Sequence, residues 1–436
     1  MHEQTIIQKA AAGAGIETLN EMQQAALTVF GKSRDMVLLS PTGSGKTLAF
    51  LLPLLSVLVP EDKNIQVLVI APARELALQI EQVFRSMGTG YKVNCCYGGH
   101  PIRTEKKSLE HPPAVLIGTP GRIVDHIERG TVQLDSVHTL VLDEFDKSLE
   151  LGFEKEMKII LTHLPGIRRR ILTSATEAVD IPSFVGVNRP EKLNYLSDGK
   201  TGALKLYKVD SPEKDKLHTL YRLLCSLGNT SSLVFCNQRE SVERVSGYLT
   251  EMGISNEFFH GGMEQLDRER KLSRFRNGTS LVFVSTDLAA RGLDIPEVKQ
   301  VIHYHLPVNE EASIHRNGRT ARMHATGSAY YILNEADTLP DYIPEDTEIY
   351  GLPRTDAPTP ASPWVTLSVN RGKRDKLSKK DIVGFLFQKG GLAKDELGIV
   401  EVRESYSFAA VKREKYPELM KNIRDEKIKN MKAKFE

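Results

Sequence analysis

The run Ser40-Pro41-Thr42-Gly43-Ser44-Gly45-Lys46-Thr47 ends in the Gly-Lys-Ser/Thr pattern of a phosphate-binding loop. Gly43 and Gly45 let backbone N–H groups curl around phosphate oxygens, and a helix opening at this point would add its positive end. Lys46 has the reach for the β- and γ-phosphates, and the Thr47 hydroxyl is a ligand for Mg²⁺. Ser40 stands where the pattern usually begins with glycine. Farther along, Val141-Leu142-Asp143-Glu144 places two carboxylates at the end of an apolar run. That is where the second anchor of a nucleotide's metal belongs. Asp143 is expected to hold Mg²⁺, and Glu144 to orient and deprotonate the attacking water. These residues predict hydrolysis of a nucleoside triphosphate.

Such groups have to leave the ends of buried strands, and the chain supplies them. Short apolar runs at Met36–Leu39, Val67–Ala71, Ala114–Gly118, Thr139–Leu142 and Arg170–Thr173 each lead into a polar turn and a helical pattern. That alternation is the pattern of βαβ units on a parallel sheet. It stops near Asn194–Gly202 and restarts with Ser232–Phe235, Glu257–Phe259, Leu281–Ser285, Gln300–Tyr304 and Ser328–Leu333. Pro353, Pro358, Pro360 and Pro363 then crowd a segment that reads as a stiff linker. The remaining residues predict the order βαββαβ, with strands at Trp364–Val369, Gly398–Arg403, Tyr406–Lys412 and Asn430–Phe435. Helices are expected at Ser378–Gln388 and Tyr416–Glu426, backing a four-stranded antiparallel sheet. The expected division is an ATP-binding domain over 1–200, a second α/β domain over 203–350, a linker over 351–363 and a small α+β domain over 364–436.

With 40% hydrophobic and 26% charged residues, the 436-residue chain is neither disordered nor a disulfide scaffold. Its longest apolar run, Leu48–Pro60, is too short to span a bilayer. The N-terminus lacks the basic and apolar segments of a secretory signal, and the four cysteines show no CxxC spacing. A cytoplasmic protein with reduced thiols and no membrane partner is expected. The net charge of +2 conceals an asymmetry. Residues 364–436 hold 18 Lys+Arg against 11 Asp+Glu, whereas the rest of the chain is slightly acidic. A basic end of this kind suggests a polyanionic partner.

Over residues 15–325 the ordered motifs resemble those of the DEAD-box RNA helicases of superfamily 2. Gly15–Gln23 resembles the family's Q motif, and Ser40–Thr47 its first helicase motif. Pro72–Ala77, Gly98-Gly99 and Thr119–Arg122 resemble its RNA-contacting loops. Asp143–Asp146 stands at the name-giving box and Ser174-Ala175-Thr176 at the SAT motif. Leu233–Asn237 with Gln265 and Arg268 fits the fourth motif region. Ser285–Asp287 with Ala290–Asp294 fits the fifth, and His315–Arg322 the sixth.

The resemblance implies two tandem RecA-like domains that use ATP and Mg²⁺ and bind RNA across both. It implies that Gln23 reads adenine, that Ser40, Thr42, Gly43, Ser44, Gly45, Lys46 and Thr47 bind phosphate, and that Asp294 meets the ribose. Arg319 and Arg322 are implied to stabilise the transferring phosphoryl group. Arg74, Gly99, Thr119, Arg122, Arg268 and Thr286 are implied to contact RNA. Asp146, Ser174, Thr176 and His315 would couple the two activities. The chain departs from the family in several places: Phe145 replaces Ala, Ile6 stands where an aromatic usually stacks on adenine, and Ser313 and Asn317 replace Tyr and Ile.

Residues 364–436 resemble the RRM-like RNA-binding domain of DbpA-type bacterial DEAD-box helicases, through Asp381–Gly384 and the basic run Lys429–Lys434. Tyr406 and Phe408 lie two apart on one strand and so share a face, from which both rings are expected to stack on bases. Arg371, Lys373, Arg374, Lys376, Lys379 and Lys380 are basic candidates for the same RNA. The expected function is ATP-dependent unwinding or remodelling of structured RNA by a monomer, with ribosomal RNA and pre-ribosomal particles of the large subunit as partners. The alternative is an ATP-gated RNA clamp, or an RNA chaperone or annealer, with little unwinding.

Overall fold

The computed structural model describes residues 2–41, 43–176, 181–196, 204–287, 295, 298–320, 326–353, 355 and 357–436. The chain separates into two compact units near residue 201.

The first unit is built on one parallel sheet of seven strands. These are β1 (Asp35–Leu39), β2 (Val67–Ile70), β3 (Val93–Cys96), β4 (Val115–Gly118), β5 (Thr139–Leu142), β6 (Arg169–Ser174) and β7 (Glu191–Asn194). Their order across the sheet is β3-β4-β2-β5-β6-β1-β7. The central strands are uninterrupted apolar runs because helices cover both faces. Met36, Leu38, Val67, Val69 and Val141 enter one core, while Val37, Leu39, Leu68, Ile70 and Leu142 enter the other. No apolar run marks β7, which reads Glu-Lys-Leu-Asn and is largely exposed. It and β3 are the two edges of the sheet, where one strand face need not be dry.

The second unit contains β8 (Leu204–Asp210), β9 (Ser232–Cys236), β10 (Asn256–Phe259), β11 (Val282–Thr286), β12 (Gln300–His303), β13 (Gly327–Leu333) and β14 (Glu348–Ile349). They form a second parallel sheet in the order β10-β11-β9-β12-β13-β8-β14. Counted along the chain within each sheet, this repeats the strand order of the first unit. The two sheets are tandem copies of one RecA-like arrangement.

The same unit carries a small antiparallel sheet of three strands, β15 (Trp364–Val369), β16 (Leu397–Val402) and β17 (Ser407–Lys412), with β17 in the middle. Helices Lys379–Gln388 and Tyr416–Ile423 cover one face, burying Ile382, Phe385, Leu386, Leu419 and Ile423 against Leu367, Ala409 and Val411. The expected fourth strand is not formed. Lys429 and Asn430 adopt positive φ and turn the chain into a two-residue hairpin. The segment beyond then touches β15 only through a single bridge, Val369 with Phe435, and a few backbone hydrogen bonds.

The Pro-rich segment is no free spacer. Leu352 and Ala357 pack on the core of the second sheet, and the Ala361 N–H donates to Asn229 Oδ1 at 2.8 Å.

Phe145, the departure from the family's Ala, is 2% exposed and shares a core with Ile70, Leu142 and Leu172. The ring is structural filling. Truncation by Phe145→Ala should cost about 3–5 kcal/mol, seen as a lower urea midpoint at unchanged slope. A loss below about 1 kcal/mol would show that the ring packs loosely.

Candidate functional site

Three neighbouring strands, β5, β6 and β1, bring the phosphate loop and the acidic pair together at their carboxyl ends. Gly45 sits at φ +93°, a conformation that favours glycine, and a Cβ there would press on Gln23 Nε2 at 2.7 Å. The helix Lys46–Leu54 begins without a side-chain cap. Its first N–H groups therefore point outward as an anion cradle. Lys46 is buried and donates to the carbonyls of Ser40 and Pro41, the latter at 2.9 Å. Ser40 Oγ donates to Ser44 Oγ at 2.6 Å. Gln23 sits in a capping box with Asn20 and donates from Nε2 to the Gly45 carbonyl at 3.3 Å. Asn20 Nδ2 donates to the Ser44 carbonyl at 3.0 Å. The Q-motif residue thus ties a helix cap to the phosphate loop, and an adenine contact would have to exchange one of these bonds.

Asp143 is 3% exposed and accepts a hydrogen bond from Thr173 Oγ1. Burial pushes its carboxyl above the usual range, against the opposing effects of Thr173 and of the Lys46 charge. Glu144 has φ +46°, the left-handed region, and its N–H donates to the same Thr173 Oγ1 at 3.1 Å. A non-glycine residue held there is strained, which is a feature of functional turns. Thr173 escapes motif reading, yet it links both carboxylate residues. Two hard oxygen donors, Thr47 and Asp143, suit Mg²⁺, and a desolvated carboxylate gains most from a cation.

Beyond this edge, Thr176 Oγ1 donates to Asp146 Oδ2 at 3.3 Å, and the Thr176 N–H donates to Ser174 Oγ at 2.9 Å. The SAT segment and the acidic box are thereby joined.

On the proposed RNA side of this unit, the Arg74 guanidinium lies over the Tyr97 ring at 5.5 Å and against Gly99, whose φ of +95° favours glycine. Thr119 precedes the helix Pro120–Glu128. Arg122 is held by protein partners. Its Nε donates to Glu105 Oε2 at 2.6 Å and its Nη2 to the His100 carbonyl at 2.9 Å, while Nη1 lies 3.5 Å from Asp125. Glu105 is a hub that motif reading missed. It also accepts from the Tyr97 N–H at 2.9 Å and lies 2.7 Å from His126 Nε2. Burial alone would raise its pKa, but the bonds from His126, Tyr97 and Arg122 hold it below the usual range. This anion fixes the Gly98-Gly99 loop to the Thr119–Arg122 turn.

In the second unit, Arg316 is 1% exposed and forms a two-pronged pair with Asp287, 2.6 Å on each arm. It also donates to Asn237 Oδ1 at 2.8 Å and to the His305 carbonyl at 2.7 Å. One buried cation therefore knots together the fourth, fifth and sixth motif regions. Arg319 is buried, and His315 Nε2 lies 3.4 Å from the Glu311 carboxylate. Thr286 ends β11, and the Arg268 guanidinium stacks over Phe259 at 4.7 Å. Thr42, Asp294 and Arg322 lie outside the described residues.

The departures at Ser313 and Asn317 have a local explanation. Asn317 Oδ1 lies 2.9 Å from His303 Nε2, and its Nδ2 donates to Tyr331 OH at 3.0 Å. Ser313 Oγ is 3.2 Å from the same hydroxyl, and the His303 and Tyr331 rings stack at 4.2 Å. A polar network replaces apolar packing beneath the helix Glu310–Asn317.

In the C-terminal domain, Lys373, Arg374, Lys376, Lys379 and Lys380 are exposed, and Arg371 is half-buried. Their loop is fixed by Lys373 and Arg374 N–H bonds to the carbonyls of Arg403 and Glu404. Phe408 corrects the expectation: it is 2% exposed, so its ring has no face free for a base. Tyr406 is half-buried, with its hydroxyl donating to Glu269.

Residues 20–182 match the DEAD/DEAH box helicase family, 215–324 the helicase conserved C-terminal domain and 366–436 the DbpA RNA-binding domain. The chain is 33% identical to the ATP-dependent RNA helicase DbpA of Escherichia coli, over 95% of this chain and 93% of that one. It is 29% identical to the DbpA of Bacillus subtilis, over 98% and 96%. Among solved structures, Saccharomyces cerevisiae Dbp5 bound to RNA and ADP BeF3 is similar with a TM-score of 0.67 at 28% identity, over 76% of this chain and 87% of that one.

The buried His303 gives this arrangement a pH signature. Burial, followed by the Arg316 charge, pushes its pKa down to about 3. The unfolded state therefore takes up a proton first. The stability due to neutral His303 is complete above about pH 6.5 and is lost as pH falls toward 3, at most about 1.4 kcal/mol per pH unit. Urea midpoints measured across this range should fall less steeply for His303→Gln than for the parent chain. Equal slopes would contradict the buried neutral ring.

Proposed function

The chain belongs to the DEAD-box ATP-dependent RNA helicases of the DbpA type, and on that premise we propose that it remodels structured ribosomal RNA during assembly of the large ribosomal subunit. The observation that carries this reading is the loop-fixed run of exposed Lys373, Arg374, Lys376, Lys379 and Lys380 on a domain matching the DbpA RNA-binding domain. Phosphate contacts of this kind position an RNA without reading its sequence. Held near the ATPase domains, they raise the local concentration of one structured target. None of the described helices is long and apolar enough to cross a membrane, and the four cysteines are free. The proposed setting is the cytoplasm, where the chain would act as a monomer on pre-ribosomal particles.

In this reading the backbone N–H groups of Gly43–Thr47, with Lys46, hold the β- and γ-phosphates of ATP. To do so, Lys46 exchanges its carbonyl partners, Ser40 and Pro41, for phosphate oxygens. Bound by Thr47 and Asp143, Mg²⁺ would neutralise charge on those oxygens. Thr173 holds the Asp143 carboxylate in place and fixes the Glu144 backbone. Glu144 orients the attacking water and accepts its proton. Arg319 and Arg322 are assigned the stabilising charge by family alone; such arginines contribute about 10³–10⁵-fold in kcat in related enzymes.

RNA would be held by Arg74, Gly99, Thr119, Arg122, Arg268 and Thr286, with Arg122 also bracing its loop through Glu105. The Asp146–Thr176–Ser174 bonds give RNA binding a short path to the acidic box.

The separating experiment is Glu144→Gln. The variant should bind ATP and RNA as the parent does, lose at least about 100-fold in RNA-stimulated hydrolysis, and fail to release strands repeatedly from a short RNA duplex. Retained turnover would refute the role of Glu144. Hydrolysis by the parent chain without strand release would favour a clamp.

A further inference from the structure

Four potential metal ligands meet in the first unit. Cys96 ends β3, Glu105 lies on the helix Ile102–Leu109 and His126 on the helix Pro120–Glu128. All three are buried. The Cys96 Sγ, a Glu105 carboxylate oxygen and a His126 ring nitrogen all lie within 4.8 Å of one another. Half-buried His100 approaches the same carboxylate on its other oxygen, with Nε2 2.9 Å from Oε1. Thiolate, imidazole and carboxylate are the donors that Zn²⁺ takes in tetrahedral sites. Mg²⁺ and Ca²⁺ want oxygen alone, and only Glu105 offers it.

The hydrogen bonds around His126 call for a positive centre. The Thr131 hydroxyl donates to the His126 carbonyl at 3.1 Å, so its oxygen is left to accept from His126 Nδ1, 2.6 Å away. That places the proton of a neutral ring on Nδ1 and leaves Nε2 with a bare lone pair. Yet Nε2 faces Glu105 Oε2 at 2.7 Å. Two acceptors stand that close only around a shared cation, either a second ring proton or a metal ion. The Nδ1 bond to Thr131 is also the outer support that orients a metal-ligating imidazole. A further lone pair is left over on His100. With Nε2 directed at Glu105, its buried Nδ1 has no hydrogen-bond partner among the described residues. Burial pushes the Cys96 thiol up, so the sulfur keeps its proton until a cation replaces it.

We propose that Cys96, Glu105 and His126, with His100 as the fourth donor, form a Zn²⁺ site. The ion enters from the side of His100, the least buried of the four, and Cys96 releases its thiol proton to solvent as the sulfur binds. Arg122 Nε and His126 Nε2 now share Glu105 Oε2, and the ion takes over that oxygen. Arg122 keeps the His100 carbonyl and Asp125 as partners. The bound ion clamps the end of β3 to two helices, between which the Gly98-Gly99 loop and the Thr119–Arg122 turn are strung. Motif reading has no signal for such a site, because its ligands come from three separate elements. The site stands on coordination chemistry and is independent of the RNA reading, so its test contains no RNA.

The test is a titration of the full chain, untagged and reduced, with Co²⁺ as the spectroscopic substitute for Zn²⁺. The parent should develop a thiolate-to-cobalt charge-transfer band and the intense visible bands of a tetrahedral site, and Zn²⁺ should bleach both. Thr47 and Asp143 offer only oxygen, so Co²⁺ bound there gives no such band. Cys96→Ser should lose the charge-transfer band. Cys96→Ser and His126→Gln should each bind Zn²⁺ at least about tenfold more weakly, a loss that even the outer partners of a ligand produce. Cys95→Ser, beside the ligand set but outside it, should leave the spectrum unchanged. A buried substitution can unfold the chain, so the parent carries a second readout. Zn²⁺ should raise its urea midpoint, and EDTA should reverse the rise. No thiolate band in the parent would overturn the proposal and leave a ring proton alone between His126 and Glu105. A band that survives Cys96→Ser, or vanishes with Cys95→Ser, would overturn it too. So would a parent midpoint that Zn²⁺ does not move.

Discussion

A carboxylate out of water has to be held, and the first unit is organised around holding Asp143. The residue leaves β5 at a point where β6 supplies Thr173 and β1 leads into the loop that carries Lys46. The three strands are neighbours only because the chain crosses over in the order β5-β6-β1. Parallel strands in this order open their carboxyl ends toward one crevice, where ligands of such sheets bind. The hydroxyl of Thr173 serves both the Asp143 side chain and the Glu144 backbone. Acidic groups that must differ in role are thus fixed by one small side chain. The strain at Glu144 is a cost the surrounding packing offsets.

The second sheet repeats the strand order but solves a different electrostatic problem. Its most deeply buried cation among the described residues, Arg316, is matched by Asp287 and by neutral acceptors from Asn237 and His305. Breaking a pair of this kind costs about 3–5 kcal/mol, because the remaining charge stays buried. Nearby, Asn317 and Ser313 would be unsatisfied polar groups in an apolar packing, so their presence requires His303 and Tyr331 as partners. Phe145 shows the apolar counterpart, a large ring in a core with room for it. Departures from a family pattern are absorbed by neighbours close in space and distant in sequence.

That is also why sequence reading succeeds and fails where it does. Phosphate loop, acidic box and central strands are legible because each is a local pattern with a local cause. A buried parallel strand must be apolar on both faces, and a phosphate cradle must contain glycine. Edge strands β7 and β14 carry no such constraint and leave no signal. Glu105 and Thr173 look like ordinary surface and strand residues, since their hydrogen-bond partners lie 8 to 30 positions away. Tyr406 and Phe408 were legible as two residues on one face, as alternation requires. Which partner covers that face depends on the helix Gln265–Arg276, more than a hundred residues earlier. The last basic run has the composition of a strand, but Lys429 and Asn430 at positive φ turn it into a hairpin.

If RNA, through the motif loops and the C-terminal basic strip, controls hydrolysis at Lys46, Asp143 and Glu144, then ATP turnover must follow the nucleic acid supplied. Steady-state ATP hydrolysis measured with no nucleic acid, with total ribosomal RNA, with unstructured RNA and with single-stranded DNA decides this. Low activity is expected alone or with DNA, and strong stimulation by ribosomal RNA above that by unstructured RNA. Equal rates in all four conditions would contradict it.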